Sequence, residues 1–213
     1  SEPSSSFHSF EFTMLEFYKV GVNYLKIADE VLQMLQFINF KIKNKKDGDE
    51  NYPAKITYQN KVISLNRWEK LTVAEAFEKY AEIDKRELFD HKLFAKKAKK
   101  KGYQVKDFSY IDLWSQIYAR EIEPNLGNNG YPTLLYNYPK EFAALAQLND
   151  DGKTAQRFEF YIAGIELGDC YTELIDWRKQ KERFFKEDNQ RKKLKKINHP
   201  IDKGFIEALK YGL

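Results

Sequence analysis

Apolar positions recur along the chain with two periods, and each period marks out elements. Between Tyr24 and Lys43, residues Leu25, Ile27, Ala28, Val31, Leu32, Leu35 and Ile38 keep helical spacing, which predicts an amphipathic helix. From Phe10 to Tyr18, FEFTMLEFY alternates and predicts a strand, with Phe12, Met14, Glu16 and Tyr18 on one face and Thr13, Leu15 and Phe17 on the other. KNKKDGDENYP (43–53) is polar and rich in turn formers, so it reads as a surface loop, and a short strand follows around Lys61 to Leu65. Capping-box spacing at Thr72 and Glu75, then at Asp84 and Glu87, starts two helices, and Asp107 precedes a third periodic run to about Arg120. PNLGNNGYP (124–132) breaks this helical stretch, TLLYNY (133–138) reads as a buried strand, and Pro139 suits the first turn of a short helix carrying Phe142, Ala143, Leu145 and Ala146. RFEFYIAGIEL (157–167) is the strongest hairpin signal, with its turn at Ala163-Gly164. Asp176 opens a long charged helix, and Asp202 opens a last one, with Phe205, Ile206 and Leu209, that ends near Gly212.

Strands on either side of a helical block, with antiparallel pairing at the hairpin, predict an α+β fold rather than a doubly wound parallel sheet. Neither GxGxxG nor a P-loop follows any strand, which excludes those nucleotide sites. Lys and Arg number 36 against 32 Asp and Glu, and the net charge of +4 is too balanced for a dedicated polyanion binder. An apolar share of 42% excludes intrinsic disorder, and no apolar run nears the roughly 18 residues needed to span a bilayer. Cys170 has no partner for an internal disulfide and no leader pattern opens the chain, so the cytoplasm is the expected compartment. SEPSSSFHSF lacks an initiator Met and runs straight into a strand pattern, which reads as a start inside a domain. The basic runs KLFAKKAKKKG (92–102) and RKKLKK (191–196) read mainly as solvated helix faces, with partner binding the lesser alternative, and Trp68, Trp114 and Trp177 as core or rim aromatics.

Carboxylates on strands carry the chemical signal, because Asp and Glu are depleted there unless solvated or engaged. Glu16 lies on the amino-terminal strand; Glu159, Glu166 and Glu173 lie on or just after the hairpin. If Glu159 and Glu166 occupy adjacent strands across the turn, their carboxylates can converge on one hard cation such as Mg²⁺, whereas a sheet with one wet face shows such carboxylates to water. From pattern alone the second reading is the stronger. His8, His91 and His199 are too far apart for a zinc motif, and no GxSxG surrounds Ser4 to Ser6.

SEPSSSFHSFEFTMLEFY resembles the tail of motif 2 of class II aminoacyl-tRNA synthetases, an FRxE strand and loop followed by His or Arg with Phe four residues on. Within that class EFTMLEFY, PTLLYNYP and RFEFYIAGIELGDCYTELID are similar to the lysine-specific subgroup. HPID followed by IEALKYG resembles the compact lysyl-tRNA synthetase paralogues of the GenX/PoxA type, which transfer a β-lysyl group to a lysine of translation elongation factor P. The resemblance implies an incomplete class II catalytic domain over 1–213: a motif 2 tail at 1–18, a helical insertion at 44–131, and a strand, hairpin and C-terminal helices at 132–213. Motif 1, the motif 2 Arg and motif 3 would lie outside it, so this stretch alone is expected to be inactive or nearly so, and the complete protein to be a homodimer.

The resemblance also assigns roles. Glu2, His8 and Phe12 would hold ATP, with Phe12 stacked on adenine and His8 near the phosphates. Glu159 and Glu166 would coordinate Mg²⁺, and Glu16, Tyr18, Gly168, Asp169, Tyr171 and Glu173 would line the pocket for lysine or β-lysine. No protein nucleophile is implied. Two departures bear on the pocket: Asp169-Cys170-Tyr171 stands where the family reads Asn-Gly-Phe, and Gly168 matches the true synthetases where the paralogues tend to carry Ala. A smaller residue at 168 would enlarge the pocket or favour α-lysine. The leading expectation is thus an ATP-dependent ligase acting on elongation factor P; the alternatives are the catalytic part of a lysyl-tRNA synthetase charging tRNA-Lys and an inactive synthetase-like binding module.

Overall fold

The computed structural model describes residues 11–43, 54–197 and 199–212. Helix α1 (Tyr24–Lys43) forms where the apolar spacing places it. The Asn23 side chain accepts from the Lys26 N–H at its start, and Lys41 and Lys43 meet the negative end of its dipole. A hairpin follows, β1 (Lys55–Tyr58) with β2 (Lys61–Ser64), turned at Gln59 and Asn60.

The main sheet contains β3 (Glu69–Thr72), β4 (Thr133–Pro139), β5 (Thr154–Ile162) and β6 (Ile165–Tyr171), in the order β3-β4-β5-β6. Between β3 and β4 the chain builds α2 (Val73–Ala81), α3 (Lys85–Phe89), α4 (His91–Lys100) and α5 (Tyr110–Ile117). Both predicted capping boxes are present: Thr72 and Glu75 exchange side-chain and backbone hydrogen bonds at the start of α2, and Asp84 and Glu87 do so at α3. Past the hairpin, α6 (Trp177–Lys193) is capped by Asp176, and α7 (Lys203–Tyr211) by Asp202, with Gly212 closing it at φ 100°.

The pleat of the sheet sorts its residues between two cores. On one face Leu135, Tyr138 and Tyr161 pack against the helical block through Phe77, Phe94, Trp114 and Ile117. On the other, Leu134, Phe158 and Phe160 pack against Tyr24, Ile27, Ala28 and Val31 of α1 and against Trp68, whose Nε1 donates to the Ala28 carbonyl at 3.0 Å. Trp177 is the rim aromatic of the three, with Arg178 and Lys210 over its ring.

Several sequence expectations are corrected. Residues 11–18 carry no strand: they pair with nothing among the described residues and are exposed throughout, and a strand without a partner ladder has only water for its backbone. The sheet is mixed, since β3 runs parallel to β4. A parallel neighbour needs a long crossover, and the helical block supplies it. The strand expected around Lys61 to Leu65 is present as β2, and the stretch expected to be otherwise helical from 44 also contains β1 and β3. Ser109, not Asp107, caps α5, because Asp107 sits at φ 66° and bends the chain before the helix begins. After Pro139 there is only a single 3₁₀ turn, Lys140–Phe142. The loop read at 43–53 lies outside the described residues from 44 onward. Among the described residues no helix is long and apolar enough to cross a membrane.

Candidate catalytic face

The hairpin β5–β6 brings the acidic residues together. Ala163 (φ 53°) and Gly164 (φ 80°) both take left-handed conformations, as a two-residue turn that matches the twist of the strands requires. Across the ladder Arg157 opposes Tyr171, Glu159 opposes Asp169 and Tyr161 opposes Glu166. The register slips between Phe160 and Tyr161, leaving Leu167 as an extra residue on β6. That bulge puts Glu166 and Asp169, three apart in sequence, on one face. Strict alternation would have separated them.

At the centre is Glu159, only 7% exposed. Its Oε1 accepts from Arg157 Nη2 at 2.8 Å, and its Oε2 accepts from the Tyr161 hydroxyl, with the Tyr118 hydroxyl 3.4 Å from the same oxygen. Arg157 also lies 3.8 Å from Asp169 Oδ2, donates to the Phe142 carbonyl at 3.3 Å and sits 5.2 Å over the Tyr138 ring. A charge this deep requires such partners, because an unpaired buried carboxylate costs several kcal/mol.

Among the described residues Glu166 has no comparable support, and although it is exposed as a residue its carboxyl lies against the packed face. Burial of its carboxyl, and then the charges of Glu159, Asp169 and Glu123, push it up to about 7, against a smaller opposing pull from Arg157. Among the described residues the face therefore carries more carboxylates than the Arg157 guanidinium offsets. Burial likewise raises the phenols of Tyr118, Tyr138 and Tyr161, which keeps them neutral donors.

The expected pocket residues fall into separate groups. Asp169 and Tyr171 share the face of Glu159, and Glu173 continues the row, bridged to Ala146. Tyr171 is raised by burial, then by the charges of Glu173, Tyr18 and Asp169, so Tyr18 approaches this group although it is 78% exposed. Glu16 is exposed, and Phe12 is 73% exposed, so among the described residues no cleft encloses the ring expected to stack on adenine. Glu2 and His8 lie outside the described residues. Gly168 is turned to the other face: a Cβ there would come 2.7 Å from Phe160 Cε1, so the missing side chain makes room for a core ring and does not widen the acidic face. Cys170 packs on the α1 side as well, and burial pushes its thiol up to about 12, which disfavours the thiolate at neutral pH.

Among the described residues no three His, Cys, Asp or Glu side chains are placed to hold a metal by themselves. Glu159 and Glu166 could offer a cation two hard carboxylates, with Arg157 and Tyr161 already bonded to the two oxygens of Glu159. This is a donor set for an ion that keeps its waters and shares oxygens with a phosphate substrate, as Mg²⁺ does.

A family model described as tRNA synthetases class II (D, K and N) matches residues 1–213. The chain belongs to this family. The α+β architecture, with its antiparallel β4-β5-β6 ladder, fits a partial class II synthetase core. Membership implies aminoacylation-type chemistry by an ATP-dependent ligase with an amino-acid substrate, and enzymes of this class use ATP and Mg²⁺.

Sequence reasoning missed Arg157, Tyr161 and Tyr118. The first two lie two residues either side of Glu159 on the same strand, so period two was a usable signal for them. Tyr118 reaches the site only through the tertiary fold.

Proposed function

We propose that the chain forms part of an enzyme that activates lysine or β-lysine with ATP and transfers the aminoacyl group to a lysine of translation elongation factor P. The observation that carries this reading is the acidic face itself, where Glu159, Glu166 and Asp169 gather around Arg157, the one cation there among the described residues. Of the amino acids that the family handles, lysine is the one whose side chain such a face attracts; an aspartate side chain meets repulsion there.

In this reading Glu2, His8 and Phe12 hold ATP, and Glu159 and Glu166 hold Mg²⁺, which when bound offsets phosphate charge. Asp169, Tyr171 and Glu173, with Tyr18 and Glu16, receive the ammonium-bearing substrate, and Gly168 contributes backbone only. The substrate carboxylate attacks the α-phosphorus of ATP and pyrophosphate leaves; the ε-amino group of the acceptor lysine then attacks the adenylate carbonyl and AMP leaves. The role of the protein is to orient these groups and stabilise charge.

Charging of tRNA-Lys is the second reading, drawn from the synthetase-like Gly168. The contact of Gly168 with Phe160 gives that glycine a packing reason independent of the acceptor. An inactive module is the third, supported by Asp169, Cys170 and the exposure of Phe12. Labelled lysine and β-lysine offered to the full-length protein with elongation factor P or tRNA-Lys separate the three: label on the factor supports the proposal, label on the tRNA supports the second reading, and no label on either supports the third.

A further inference from the structure

Immediately after α5 the helix loosens into a π-helical turn, Tyr118–Ile122, and its first residue is the one that reaches the acidic face. The Tyr118 ring is fixed by stacking on Trp114, with centroids 4.6 Å apart and planes 12° apart. Its hydroxyl lies 2.6 Å from that of Tyr161, 3.3 Å from that of Tyr138 and 3.4 Å from Glu159 Oε2. Counting protons gives these contacts a direction. Tyr161 donates its only hydroxyl proton to Glu159, so in the Tyr118 to Tyr161 contact the donor is Tyr118, and Tyr138 in turn donates to Tyr118. Three buried phenols from three elements thus form one chain that ends on a single carboxylate oxygen, while Arg157 holds the other oxygen.

We propose that Tyr118 is a positioning residue: through Tyr161 it fixes the orientation of the Glu159 carboxylate, and so ties the helical block between β3 and β4 to the cation-binding side of the catalytic face. The inference rests on the assignment of Glu159 to Mg²⁺ made above, and it extends that assignment to a residue 41 positions away. Partners that orient a metal-binding carboxylate have a known scale, since their loss weakens metal affinity about 10–100-fold. Tyr118→Phe keeps the ring and its stacking and deletes only the hydroxyl that directs Tyr161.

The test is Mn²⁺ binding by electron paramagnetic resonance, with ATP present, in the full-length protein, alongside thermal melts. Tyr118→Phe is expected to weaken Mn²⁺ affinity about 10-fold or more. Tyr138→Phe removes another phenol of the same chain, is expected to weaken it as well, and serves as the test if Tyr118→Phe does not fold. Tyr103→Phe is the control, because it removes a phenol-to-carboxylate hydrogen bond of the same helical block, 2.7 Å to Glu121, and is expected to leave Mn²⁺ affinity unchanged. If Glu159→Gln loses Mn²⁺ while Tyr118→Phe and Tyr138→Phe bind as the wild type does, the positioning role is refuted and the metal assignment stands. If Glu159→Gln itself binds Mn²⁺ normally, the metal assignment falls, and the role of Tyr118 falls with it.

Discussion

Gly168→Ala is the substitution whose effect the structure defines most closely. Gly168 lies opposite Phe160 in the β5–β6 ladder, and an added Cβ would stand 2.7 Å from Phe160 Cε1 and 3.3 Å from its Cζ. The backbone there tolerates any residue, so the penalty is steric alone. The Phe160 ring has little freedom to yield: it is 8% exposed, packs edge-on to Trp68 at 5.7 Å and belongs to the core beneath α1. Forcing one methyl into a filled core costs about 1–3 kcal/mol. At about 2–4 °C per kcal/mol for a chain of this size, the melting temperature should fall by several degrees. The assay is thermal and urea denaturation of the full-length protein, with Phe160→Leu as a second background. A smaller side chain at 160 removes the clash, so the same Gly168→Ala change should cost less there, with a coupling of about 0.5–3 kcal/mol. An unchanged midpoint, or an equal loss in both backgrounds, would refute the placement of Gly168 against the ring.

Glu166 gives a pH dependence. Its folded-state pKa, pushed up to about 7, lies above that of the unfolded chain, so its contribution to stability is complete at acidic pH and is lost as pH rises through about 7. Glu166→Gln should flatten that decline, read as the urea midpoint of both proteins between about pH 5 and pH 8; parallel curves would count against the crowded carboxylates. Thr72→Ala deletes the capping box of α2 and should cost about 1 kcal/mol by denaturation, and a loss no greater than that of a neighbouring exposed substitution would remove the cap as a stabilising feature.

What the sequence made legible was local. α1 runs over the predicted span because its stripe needs only one apolar surface to bury against. The caps at Thr72, Asp84, Asp176 and Asp202 and the turn at Ala163-Gly164 are settled by residues within a few positions of each other. The misreadings were relational. The alternation of Phe12, Met14 and Glu16 is that of a strand, but alternation provides no neighbour, and residues 11–18 have none among the described elements. β3 is four residues, EKLT, with no pattern of its own; pairing with β4 makes it a strand. The same division holds at the site. The spacing of Glu159 and Glu166 across a hairpin placed the two acids on one structural unit, whereas the bulge at Leu167, the turning of Gly168 towards Phe160 and the reach of Tyr118 depend on register and packing that no single segment encodes.

The central claim, activation of a lysine-type amino acid, is most directly tested by ATP–pyrophosphate exchange with the full-length protein and Mg²⁺. Exchange that appears with lysine or β-lysine, is absent with aspartate or asparagine, and is lost in Glu159→Gln and Glu166→Gln is the expected result. Exchange driven by aspartate or asparagine, or none with any amino acid, would contradict it.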